Sequence, residues 1–303
     1  MKPLITLWKF SRPHTVIGSV VSICTLYTIV CSERKAQHLL LLVSALITGI
    51  TTNIFIVGIN QIADVEIDKI NKPYLPIPKG DLNIQNAKVI VYASLAVSLA
   101  LSAFISIYLF GIIFLSALIG WAYSMPPFHL KRHHALAALA ITTVRGVFIN
   151  VGGFLVFNFL VNHSLALPDN VKILTLFIIA FSIGIAWFKD IPDVKGDAKY
   201  NIKTLAVLYS QKTALIAGNI LVGAAYGFTI FAKGNLFFAE KNSSFETKAL
   251  FLGNIFLFAL FILNSFSINL NEQSSLKQFY RRFWGFFFAE YLLYLAVYSA
   301  KFL

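Results

Sequence analysis

Charge is what this sequence has least of. Asp, Glu, Lys and Arg make up only 13% of its 303 residues, where a soluble domain carries about a quarter. Acidic groups are the scarcest, 13 in all. An ordinary soluble enzyme is excluded on that ground. Cysteine is almost missing too. Cys24 and Cys31 lie seven apart on one expected helix, about 10.5 Å from each other, too far to form a bridge together. No His/Cys cluster suggests zinc, and lone histidines such as His14 and His163 receive no catalytic role. A basic patch with interleaved aromatics is also lacking from any soluble segment. The net charge of +12 therefore reads as membrane topology and contact with anionic lipid, not as nucleic-acid binding. The first hydrophobic segment opens with Arg and Pro and has no small-residue cleavage site behind it. Nor is there a Ser- and Arg-rich transit extension, so we expect a mature form or a protein made where it works.

What the chain has is apolar length. Hydrophobic residues reach 58% and the mean hydropathy is +0.75. A bilayer core needs about 20 apolar residues per helix. Nine stretches supply them, near residues 16–31, 39–62, 86–107, 109–124, 134–157, 171–189, 213–232, 248–268 and 282–300. Only Gly111 separates the third from the fourth. As one helix, Val89 to Ser124 would run about 54 Å, so the chain must fold back there. The first stretch could equally begin nearer Trp8. Basic residues are unevenly shared between the two sides. With the amino terminus inside, 17 of the 25 Lys and Arg fall on the inner side and seven, including Lys35 and Lys241, on the outer. Arg145 lies within a span. This bias favours an internal amino terminus. We expect an all-α integral membrane protein, about nine transmembrane helices in a single bundle, formed by one domain over residues 1–303. The bilayer is its first partner, and oligomeric state is not legible.

The longest polar connections, residues 63–85 and 190–212, fall on the same inner face. Each follows a span directly, as though two similar halves ran parallel. The second span ends N60-Q-I-A-D64-V-E-I-D68, placing Asn60, Asp64 and Asp68 on one helix face. The sixth ends K189-D-I-P-D-V-K-G-D197, placing Asp190, Asp193 and Asp197 on one face if the helix continues past Pro192. Five carboxylates meeting at a membrane face repel by several kcal/mol per close pair at an effective dielectric of about 20. Hard divalent cations relieve that repulsion. Mg²⁺ takes oxygen ligands and is usually held by one or two carboxylates plus substrate phosphates. The facing clusters would thus clamp a diphosphate through Mg²⁺, with Lys72, Lys131 and Lys189 adding donors. The competing reading pairs these carboxylates with Lys69, Lys72, Lys189 and Lys195 as solvated ion pairs. It suits one cluster better than two in matching places.

A lipid-side diphosphate points to prenyl transfer. There the allylic C–O bond breaks and aromatic faces steady the resulting cation. Among 29 Phe and 12 Tyr, Tyr123 stands out because it ends a span on the inner face; an interfacial-belt tyrosine explains it equally well. Arg145 and Glu290 are charges inside spans, which by default read as functional. Arg145 either grips the carboxylate of an acidic acceptor at two points or pairs with Glu290. Arg12 is the fallback acceptor ligand. A transporter using the Asp clusters as a cation site is the alternative class. Transporters place such sites near the midplane, whereas these clusters end their spans.

At these residues the sequence resembles the UbiA superfamily of membrane aromatic prenyltransferases, within it the homogentisate branch. The family pattern is Asn-Asp-x-x-Asp-x-x-x-Asp followed by Asp-x-x-Asp-x-x-x-Asp. Gln61 replaces the usual Asp after Asn60, as in that branch. The likeness continues through W8-K-F-S-R-P-H-T15, N71-K-P-Y-L-P76, Y123-S-M-P-P-F-H-L-K-R132, T143-V-R-G146 and A289-E-Y-L-L-Y294. Lys195 departs from it, standing where Glu is expected. The resemblance implies a nine-helix bundle with metal-bound diphosphate under inner-face loops that cap the active site, in a cyanobacterial or plastid membrane. It implies ring prenylation of homogentisate, a small aromatic acid, with loss of CO₂. The expected donor is phytyl diphosphate, serving tocopherol synthesis, with a solanesyl donor for plastoquinone synthesis as the alternative. Transfer to another acceptor such as 4-hydroxybenzoate stands behind these.

Overall fold

A chain inside hydrocarbon must satisfy its backbone within each segment, so its apolar stretches become helices. The protein, as a computed structural model, is described over residues 2–34, 37–239 and 244–302. Lys35 and Lys241, which entered the charge count, lie outside the described residues. Among the described residues nine helices are long and apolar enough to cross a membrane: Pro13–Glu33, Leu39–Ala63, Ile84–Ile105, Ile107–Ser124, His134–Asn162, Asp169–Asp190, Gln211–Phe238, Phe245–Phe266 and Gln273–Phe302.

The fold-back between the third and fourth spans occurs at Ser106, and Gly111 sits inside the fourth helix. The reason is capping. The Ser106 hydroxyl accepts from the Tyr108 amide at 3.2 Å, and its own amide donates to the Ser102 carbonyl at 3.0 Å. Glycine offers no such acceptor. The amino-terminal break is sharper. A short helix, Lys2–Phe10, ends before Arg12, whose φ is 51°. A residue before proline avoids the α region, and Pro13 then opens the first span with its φ already set. Gln61, fully buried, donates to the Phe10 carbonyl at 2.7 Å, and Asn53 donates to the Ser11 carbonyl at 3.3 Å. Gln61 thus anchors this break, at a position where the family pattern has an acid.

The sixth span is central. Two thirds of its apolar window (67%) is buried, against 17% for the third. Lipid supplies no hydrophobic drive between helices, so close packing and ring contacts hold them together. Phe181 stacks on Phe283 of the ninth span with centroids 4.1 Å apart, and Phe188 meets Phe279 and Phe283 edge-on at 5.1 and 4.7 Å. Gly184 lets this contact close, because a Cβ there would lie 3.1 Å from the Phe283 ring.

The connections after the second, fourth, sixth and eighth spans share one face, and hydrogen bonds join several of them. Gly196 donates to Asn71 at 2.9 Å, Lys203 to the Arg132 carbonyl at 2.8 Å, and Gln273 to the Pro192 carbonyl at 2.7 Å.

Candidate active site

Neither Asp motif forms the unbroken helix that its spacing suggests. The second span stops at Asp64 (φ −103°, ψ 14°) and resumes as Val65–Asn71. The sixth stops at Asp190, turns, and resumes at Asp193 (φ −97°, ψ 0°) as Val194–Lys199. The middle aspartate of each motif therefore sits in the bridge region, a sparsely used conformation common at functional sites. In the second motif Pro192 forces this, since its ring cannot continue the helix above it. The two breaks match in position and angle, which supports two parallel halves.

The breaks bring both motifs together. Lys72, closing the first, makes an ion pair with Asp193 of the second and lies 3.7 Å from Asp68. Asn71 donates to Asp197 at 3.3 Å and accepts from the Gly196 amide at 2.9 Å. Gly196 is required by that contact: a Cβ there would lie 2.5 Å from the Asn71 amide. Lys189 pairs with Asp190 at 2.6 Å, and Asn60 donates to Asp64 at 2.9 Å. Two further cations arrive from elsewhere in the chain, each at a left-handed residue. Arg12 lies 3.9 Å from Asp68, and Lys131, two residues past His129 (φ 44°), pairs with Asp64. Tyr123 borders the cluster with its ring centroid 6.0 Å from the Lys189 ammonium. The lysine-pairing reading is thus partly realised, by Lys72 and Lys189. Lys69 instead bonds Glu66 at 2.7 Å, and Lys195 is exposed and joins none of these pairs.

These carboxylates are held at a cost. Asp68, Asp190, Asp193 and Asp197 are between 3 and 8% exposed. Burial pushes the Asp68 carboxyl upward against the opposing pull of Lys72 and Arg12. Burial, reinforced by Asp190, raises Asp197 to about 7. Burial lowers Lys131 although Asp64 opposes it, while Lys72 is raised because Asp193 and Asp68 outweigh burial.

Could a divalent cation fit here? Among the described residues no three His, Cys, Asp or Glu side chains converge closely enough to cage one. Mg²⁺ seldom uses an all-protein cage, binding one or two carboxylates and completing its shell with water and phosphate. The donors present are all oxygens, and Asp68 Oδ2 is buried without a hydrogen bond. Arg12, Lys72, Lys131 and Lys189 face five carboxylates, which leaves no net positive charge to receive a diphosphate. The residues therefore fit a cation shared with substrate phosphates.

Arg145 lies deeper. It forms no ion pair with Glu290, which lies beside Asn254 and Lys233 instead. Its guanidinium stacks 4.8 Å from Trp284 and 5.3 Å from Phe287, and its Nε is buried without a partner. Arg145, His14 and Tyr280 are each half-buried. His14 packs edge-on against Trp284 at 4.9 Å and lies within electrostatic reach of Arg12, Arg145 and Lys72. Tyr280 similarly faces Lys189, Arg145 and Arg12. His14 and Tyr280 thus each lie within electrostatic reach of both Arg145 and cations of the carboxylate clusters. Sequence reading gave no role to Asn71, Tyr280 or Trp284. Only Asn71 carried a signal, as the last residue before Lys72.

Known proteins share this fold. The sequence matches the UbiA prenyltransferase family over residues 21–289. The chain belongs to that family. It is 36% identical to the homogentisate phytyltransferase of Synechocystis sp. over 299 residues, 97% of this chain and 96% of the relative. It is 32% identical to the chloroplastic homogentisate solanesyltransferase of Arabidopsis thaliana, over 95% of this chain and 75% of the relative. In three dimensions it resembles a UbiA homolog from Archaeoglobus fulgidus solved with DMAPP and Mg²⁺. That likeness has a TM-score of 0.65 and 16% identity, covering 97% of this chain and 99% of the other.

Proposed function

We propose that this UbiA-family enzyme transfers a prenyl chain from a Mg²⁺-bound diphosphate to the ring of homogentisate. One observation carries the reading: two aspartate clusters are joined through Lys72 and Asn71, and His14 lies within electrostatic reach of both Lys72 and Arg145. Asp64, Asp68, Asp190, Asp193 and Asp197 would hold the cation with the substrate phosphates, Asn60 orienting Asp64. Mg²⁺ there supplies charge neutralisation for the leaving diphosphate as the allylic C–O bond breaks. Arg12, Lys72, Lys131 and Lys189 donate to the diphosphate oxygens once these displace the carboxylates from them. Tyr123 turns a ring face toward the region where positive charge develops on the chain.

Arg145 takes the acceptor carboxylate. Its fork matches two oxygens, its stacking on Trp284 fixes the plane, and no carboxylate among the described residues competes for it. The acceptor ring then meets the allylic carbon between Arg145 and the clusters. The ring carbon that gains the chain gives up its proton, and the side chain loses CO₂ and takes up a proton. The names of the Synechocystis and Arabidopsis relatives support homogentisate as acceptor, with a phytyl donor and, as the alternative, a solanesyl donor. The enzyme would be one multi-pass domain of a cyanobacterial or plastid membrane. The uneven Lys and Arg distribution supports an inner site face with the amino terminus on it. Purified protein incubated with labelled homogentisate, Mg²⁺ and phytyl, geranylgeranyl or solanesyl diphosphate should yield a decarboxylated prenyl quinol by mass spectrometry. Absence of product with every donor would refute homogentisate as acceptor.

A further inference from the structure

The fifth span changes its winding where Arg145 occurs. Residues Thr143–Gly153 form a π-helix, flanked by α-helix on both sides. Such winding usually lasts a single turn and concentrates at functional sites. Eleven residues of it need outside support. The support is visible in two fully buried side chains. Asn150 donates through Nδ2 to the Arg145 carbonyl at 2.8 Å, and its Oδ1 accepts from the Tyr291 hydroxyl at 2.8 Å. Tyr291 is itself tied to the first span, its carbonyl accepting from Thr25 at 3.0 Å. Trp284 and Phe287, the rings under the guanidinium, lie seven and four residues before Tyr291 on the same helix face. That one face of the ninth span therefore holds Arg145 twice, by its guanidinium and, through Asn150, by its backbone. Gly18 closes the remaining side, since a Cβ there would lie 3.5 Å from an Arg145 nitrogen.

We propose that Asn150 and Tyr291 are positioning residues that aim Arg145 at the acceptor carboxylate. The inference rests on the acceptor reading above. The hydroxyl of Tyr291 is the smallest group whose loss tests it, and the phenyl ring of Tyr291→Phe preserves the packing. Steady-state kinetics with homogentisate and a prenyl diphosphate varied separately give the readout. KM is independent of the fraction of active protein, so reduced yield does not blur it. Tyr291→Phe should raise the homogentisate KM about 2- to 12-fold, the range of one neutral hydrogen bond, with the donor KM unchanged. Asn150→Ala should shift the same constant in the same direction. In an Arg145→Lys background Tyr291→Phe should add little, because both act on one contact. Equal movement of both KM values, or independent multiplication of the two effects, would overturn the proposal. If Arg145→Lys raises the homogentisate KM and Tyr291→Phe does not, positioning alone fails. If Arg145→Lys leaves that KM unchanged, the acceptor reading falls and this inference with it.

Discussion

At Arg145 a cation sits where the bilayer provides no water, and rings surround it in place of carboxylates. An intramembrane charge is expensive and persists where it serves a site. The missing Arg145–Glu290 pair separates two otherwise equal explanations of these charges. Arg145→Lys keeps the charge but loses the planar fork, and one charge-assisted hydrogen bond is worth about 1.5–3 kcal/mol. The homogentisate KM should therefore rise about 10- to 150-fold while the donor KM holds. Glu290→Gln should leave the homogentisate KM unchanged, whatever it does to thermal stability. A matching KM rise in both variants would restore the ion pair. Sequence alone identified both charges as unusual, but their separation depends on helix rotation, which hydropathy does not report.

The elements that build the site are short helices set at breaks. Nine spans are legible because each is a long apolar run. The breaks are less so. Pro192 marks the break at Asp193. Asp64 instead interrupts its helix on tertiary grounds, and the four-residue spacing of Asn60, Asp64 and Asp68 reads equally well as one continuous helix. Gly196 illustrates the same difficulty. A glycine before Asp197 suggests a chain bending away from the site. It instead allows Val194–Lys199 to close on Asn71. Gly196→Ala should push the Asn71 amide from both its bonds and lower turnover by about tenfold, the effect of about 1.4 kcal/mol. Asn71→Ala should do likewise, and the double variant should be little worse than either. Additive losses would show that Gly196 acts on something other than Asn71.

On the scale of the whole molecule, stability resides between the sixth and ninth spans, and chemistry at the face where their ends meet the second. A lipid-facing phenylalanine gains little by folding, because hydrocarbon surrounds it either way. A stacked one loses ring contacts and leaves a cavity when removed. Phe283→Ala should therefore lower the melting temperature in detergent far more than Phe256→Ala, which is 63% exposed. Equal shifts would place the packing elsewhere. The site has the opposite character, since its buried carboxylates are costly alone and become useful with a cation and a diphosphate. That is why the clusters were legible in a sequence so poor in charge: five of its 13 acids lie in two motifs. Lys72, Lys131 and Lys189 are expected beside them, but that Arg12 reaches Asp68 was not legible, because it comes from a distant segment.

The central claim is that both clusters hold one diphosphate through a divalent cation. Calorimetric binding of a prenyl diphosphate to the purified protein tests it, with Mg²⁺ or with excess EDTA, for the native chain, Asp68→Asn and Asp190→Asn. Binding should appear only with Mg²⁺, and each substitution, one from either cluster, should weaken it by tenfold or more, as about 1.4 kcal/mol implies. Tight binding in EDTA, or native affinity in either variant, would contradict the account.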